Sequence, residues 1–86
     1  MPKITEFESD PGLEALQEAV GGYIEVVPRF TKYKGRKCTA LCDEEGKLKG
    51  YEVNLAATNE WWEQCPFIIG QDELVGDIAI VYGKMT

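Results

Sequence analysis

The chain predicts an α+β domain: a small, mostly antiparallel sheet covered on one face by one main helix at about residues 11–21, plus a short second helix. Three observations predict it. Apolar, β-branched runs at residues 23–27, 38–42 and 78–82 read as strands. Ser9-Asp10-Pro11-Gly12 and Gly21-Gly22 bracket one clear helix between a start and a stop signal. Helices and strands do not alternate strictly along the chain, which argues against a doubly wound parallel sheet.

In chain order, Ile4 to Glu8 reads as a short first strand. Asp10 can accept bonds from free backbone N–H groups, and Pro11 suits a first helical turn. The helix that follows places Leu13, Leu16, Gln17 and Val20 on one face, and Gly21-Gly22 ends it because glycine takes the left-handed cap conformation at little cost. Tyr23 to Val27 forms the next strand, stopped by Pro28. Cys38 to Cys42 is its expected antiparallel neighbour, the two joined by a long loop. Asp43 to Lys47 reads as a polar turn. Asn54 to Gln64 favours a short helix with Asn54 or Thr58 as its cap, closed by Cys65-Pro66. Ile78 to Tyr82 is a buried strand ended by Gly83. With one face of the sheet left bare, a homodimer or higher homo-oligomer is expected.

Eighty-six residues of 9.6 kDa suit a single domain over residues 1–86. Size scaling gives a folded surface of about 5,000 Å², enough for one modest core and too little for a deep cavity walled by one copy. No apolar run approaches the length of a membrane helix, and the start carries acids too early for a signal peptide. The expected setting is a cytoplasm, with no membrane partner. Three cysteines leave one over from any closed disulfide pairing. The absence of histidine removes Ser-His-Asp and Cys-His catalysis.

The charge map is the most informative feature. Net charge is −6, yet Arg29, Lys32, Lys34, Arg36 and Lys37 place five of the nine bases within nine positions. No acid lies between Glu25 and Asp43, so the other 77 residues hold four bases against all fifteen acids, a balance of −11. Phe30 and Tyr33 are interleaved with the bases. Cations beside flat rings suit a phosphorylated nucleobase ligand, with charge-assisted bonds to phosphate and stacking on the base. The alternative is a solvated connector whose lysines protect a sheet edge from wrong pairing. Long duplex nucleic acid is disfavoured by the acidic remainder.

Other candidates are weaker. Cys38, Cys42 and Cys65 offer three thiols without an evident fourth ligand and read as small buried hydrophobes. Trp61 and Trp62 suit core filling or ligand stacking. Asp43, Glu44 and Glu45, like Asp72, Glu73 and Asp77, are turn acids without a full oxygen shell. No Walker or Rossmann glycine pattern occurs, and neither a cofactor nor a metal is expected.

Residues 12–27, Cys42 to Gly50, Asn54 and Val75-Gly76-Asp77 resemble the domain-of-unknown-function family 3846, small accessory proteins of bacteriophages and mobile elements. The similarity spans most of the chain. It implies a phage-type protein in a bacterial cytoplasm, with no established reaction. Family members tend to have a shorter connection at 29–37, so the resemblance implies nothing for the basic segment.

Three functions follow as expectations. The first is a non-enzymatic counter-defence sponge for a phosphorylated nucleotide signal. Arg29, Lys32, Lys34, Arg36 and Lys37 would hold phosphate, Tyr33, Trp61 and Trp62 would stack, and Asn54 would complete the ligand site. The second is an interaction module that inhibits a host protein, its acids imitating nucleic acid. The third and least supported is a carboxylate-metal nuclease or phosphodiesterase.

Overall fold

Residues 78–82 are apolar in succession, and a strand that hides all of them must have cover on both faces. The computed structural model, which describes residues 1–85, provides that cover. The elements run β1 (Ile4–Phe7), α1 (Leu13–Val20), β2 (Ile24–Val26), β3 (Lys32–Tyr33), β4 (Arg36–Asp43), α2 (Leu55–Gln64), a 3-10 turn at Pro66–Ile68, and β5 (Ile78–Tyr82). They build an α+β fold, a five-stranded mixed and mostly antiparallel sheet with two helices. The sheet order is β1–β5–β4–β2, with β3 beside the start of β4 and only the β1–β5 pair parallel.

The pleat divides the apolar residues between two cores. Ile78, Ile80 and Tyr82 of β5 and Ala40 of β4 meet Ala57, Trp61 and Cys65 of α2. Ala79, Val81 and Leu41 turn the other way and meet Leu16 and Val20 of α1. The bare face that motivated an oligomer is therefore filled. At ten residues α2 is longer than α1, which has eight, and its buried positions recur every four residues.

The α1 boundary differs from its expected place. Asp10 Oδ1 accepts the Gly12 N–H at 2.8 Å, which holds Pro11 outside the helix, and Gly12 rather than Asp10 is the cap residue. Leu13 is exposed and does not join the packed face. Gly21 ends the helix in the left-handed conformation, as expected, with φ 88°.

The larger difference lies at residues 28–37, where a structured hairpin replaces the long loop. Val27 N–H bonds Ala40 C=O, and Cys38 N–H bonds Thr31 C=O, so residues 28–30 bulge out of an otherwise continuous ladder beside β4. Lys34 and Gly35 both have positive φ, 53° and 77°, as a two-residue type I′ hairpin turn requires. Phe30, one of the two rings interleaved with the bases, is buried in the α2-side core.

Candidate functional site

The five cations of the hairpin do not act as one set. Arg36 donates to both carboxylate oxygens of Glu8, at 3.0 and 2.6 Å, and its guanidinium lies 3.7 Å from the centroid of the Tyr82 ring. Lys34 Nζ donates to Glu6 at 3.0 Å. The Tyr82 hydroxyl also donates to Glu6. That bond and the Lys34 contact hold the Glu6 carboxyl below its usual range, while burial and Glu6 push the Tyr82 phenol up to about 12. Lys34 and Arg36 are thus bound to acids of and just beyond β1, brought close by the sheet from almost thirty residues away. Arg29, Lys32 and Lys37 enter no ion pair among the described residues. Lys32 and Lys37 stand directly opposite each other, and Arg29, at φ 63°, places its guanidinium 4.9 Å from the exposed Phe67 ring. Tyr33 is half-buried against the core, 6.5 Å from Phe30.

The remaining predicted ligand residues are tied into the fold by their own hydrogen bonds. Asn54 is buried: its Oδ1 caps α2 by accepting the Ala57 N–H, and its Nδ2 donates to the Lys3 and Gly76 carbonyls. Every polar atom of that side chain is engaged within the fold. Trp61 is buried and donates its indole N–H to Pro28 C=O at 2.8 Å; half-buried Trp62 donates to Asp72 C=O at 2.7 Å. Gln64, at the end of α2, accepts the Thr31 and Lys32 N–H groups and donates to Lys32 C=O, fastening the bulge to the helix. Among the described residues, no group of three cysteine, aspartate or glutamate side chains is placed to hold a metal ion, so Cys38, Cys42 and Cys65 do not converge.

A cavity of about 610 Å³ opens instead on the α2 side of the β2 edge. Val27, Trp61 and Leu74, all nearly inaccessible, lie deepest along its wall, with Cys42 and Ile68 beside them. Glu25, Glu44, Asp72 and Glu73 bring carboxylates to it, against the single cation Lys47, which is itself paired with Asp72. The Cys42 S–H points at Glu25, 4.0 Å away. Burial, reinforced by the charges of Glu25 and Asp43, pushes this thiol up to about 11, so it stays protonated and is a poor nucleophile at neutral pH. Size scaling argued against such a cavity; the groove forms because the α2 layer reaches under β4 and β5, while β2 runs at the sheet margin.

Sequence reasoning missed this site because its walls come from residues 25–28, 42–48, 61 and 68–75. One local signal was available: the acids Glu44, Asp72 and Glu73 adjoin short apolar stretches, as at the lip of an apolar cleft. Asp43, read as a surface acid, is 5% exposed and turned to the α1 side of the sheet. Burial would raise its carboxyl, but bonds from Lys49 Nζ (2.8 Å), the Glu45 N–H (2.9 Å) and the Tyr51 hydroxyl (3.0 Å) outweigh that and hold it below the usual range.

A family model described as a domain of unknown function, DUF3846, matches residues 1–85, and the chain belongs to that family. No curated protein and no solved structure matches.

Proposed function

We propose that this DUF3846 protein is a non-enzymatic binding module that docks on a partner protein through the groove beside β2. In the phage or mobile-element setting that the family resemblance implied, the partner is a host protein of the bacterial cytoplasm, and docking inhibits it. One observation carries the reading: a cavity with an apolar floor of Val27, Trp61 and Leu74 lies under a margin of four carboxylates, next to an unpaired strand edge. An apolar floor rewards burial of a side chain, and the carboxylates select a cationic neighbour. Imitation of nucleic acid has less support, because Asp43 leaves the surface and the acids are scattered along the chain, not set in one dense run.

The test is photo-crosslinking in a bacterial host. A crosslinking residue replacing Leu48, exposed beside the groove, captures one defined protein, whereas the same residue replacing Glu14 on α1 does not. The paired change Glu25→Lys and Glu73→Lys abolishes the capture while the protein stays folded. Equal capture from Glu14, or capture unaffected by charge reversal, overturns the reading.

The nucleotide sponge stands as a second reading on a separate observation: Lys32 and Lys37 are paired across the hairpin with no acid between them. Like charges held opposite are costly unless an anion joins them. Calorimetry with cyclic and linear nucleotides tests it, and absence of heat with all of them rejects it.

A further inference from the structure

β2 lies at the margin of the sheet, and its main chain faces two ways. Val27 N–H bonds Ala40 C=O, and Glu44 N–H bonds Tyr23 C=O, which places residues 23, 25 and 27 toward β4. By the alternation of an antiparallel ladder, the N–H and C=O groups of Ile24 and Val26 point out of the sheet. Among the described residues, no strand lies beside them. Val26 is 56% exposed, and Tyr23, just before the strand, is 69% exposed. Edges of this kind are ordinarily blocked by a charge, a proline or a covering element. Here Pro28 lies beyond the strand, and the strand's one charge, Glu25, stands on the side of the groove that opens directly beside it, where it selects a cationic neighbour.

Resting on the docking reading above, we infer that the partner binds as an added β-strand: an extended segment with an apolar and a cationic residue two positions apart, on one face, pairs its main chain with Ile24 and Val26. The pleat dictates how its side chains are divided. Alternate residues fall on the α2 side, where an apolar one enters the cavity over Trp61 and Leu74 and a cationic one meets Glu25 or Glu73. Residues between them fall on the α1 side, against the exposed face of Val26. Main-chain bonds give affinity without regard to sequence, and the cavity and its carboxylates choose the residue types. Charge complementarity argues for a foreign segment over a second copy of β2, because Glu25 would then approach the Glu25 of its own twin.

The probe is a short acetylated and amidated peptide of repeating valine-threonine-lysine-threonine, which presents valine and lysine on one face, titrated against the intact protein and followed by amide exchange. Binding is expected to slow exchange at Ile24 and Val26, while residues of β1, the opposite margin, are unchanged. Methylating the peptide nitrogens of one alternate set is expected to weaken binding about tenfold or more, and methylating the other set to change it little, because only one set faces β2. Val26→Lys, an exposed change that leaves the β4 ladder intact, is expected to weaken binding as well. Binding that ignores both methylation patterns and leaves Ile24 and Val26 unprotected overturns strand addition while the groove reading stands. If no binding occurs and the Leu48 crosslink also fails, both fall. Concentration-dependent protection of Ile24 and Val26 without peptide identifies a second copy as the occupant and overturns the inference.

Discussion

The cationic hairpin and the acid-lined groove are built in opposite ways. The hairpin's charges are neighbours in the chain, and folding disperses them: Arg36 and Lys34 go to Glu8 and Glu6, while Arg29, Lys32 and Lys37 remain in solvent. The groove's carboxylates are scattered in the chain, and folding gathers them over one apolar floor. Charge density along a sequence is therefore a poor guide to field density in space. The sheet pairs a base with whichever acid its register brings near, and an excess survives only where no partner strand supplies one.

The largest effect separates the two tryptophans. Trp61→Ala removes the groove floor, a share of the α2-side core and the bond to Pro28, and is expected to cost about 3–5 kcal/mol in urea unfolding. Trp62→Ala, at a half-buried ring, is expected to cost roughly 1–2 kcal/mol. Equal costs would mean that the floor is not part of the core, and the groove would lose its rigid base.

Next comes Asp43, the one buried acid among the described residues. Asp43→Asn leaves the Lys49 ammonium and the Tyr51 hydroxyl without their anionic acceptor and is expected to cost about 2–3 kcal/mol at neutral pH. Because the folded carboxyl lies below its ordinary value of 3.8, its contribution is complete above that pH and drains away as pH falls through the lowered folded value. Thermal melts should therefore fall more steeply with acid in the parent than in Asp43→Asn. A parallel decline in the two would remove Asp43 as the cause. The same pocket explains Gly22: a Cβ there would stand 2.7 Å from the Asp43 carboxylate.

What was legible follows the range of the interactions. Gly21, the β2–β4 pairing and the buried run of β5 are written in residues close together, and all appear as expected. The cap role of Asn54 was equally readable, and the structure has it: its Oδ1 accepts the Ala57 N–H at the start of α2. Ala57, Trp61 and Cys65, spaced by four, mark a second buried face, and Trp61 takes the core-filling role that the sequence offered beside ligand stacking. The hairpin turn was hidden because Lys34 carries the first positive φ, a position where asparagine or glycine would have announced it. The groove had no compact signature, since Glu25 and Glu73 adjoin it only after the sheet and α2 have formed.

A smaller effect probes the neutralised half of the hairpin. Arg36 and Glu8 are both substantially exposed, so their bidentate pair works against solvent screening. Removing either partner should lower the melting temperature less than Asp43→Asn does, and molar salt should erase most of the difference. If salt does not, the stacking of Arg36 on Tyr82 rather than the charge pair holds the hairpin to the sheet.

The smallest effect decides what the free half is for. Lys32 and Lys37 are cross-strand neighbours of like charge, so Lys37→Glu replaces repulsion with attraction and should stabilise the fold by roughly 0.2–1 kcal/mol. A hairpin that serves only as a soluble turn gains from the change and loses nothing, and host-protein capture through the groove stays intact. A hairpin that serves as an anion receptor gains the same stability but loses its nucleotide heat. Stability and ligand heat therefore move apart under one substitution only if the opposed lysines are held for a ligand. In that case the two regions are both binding surfaces, one for an anion and one for a cationic segment.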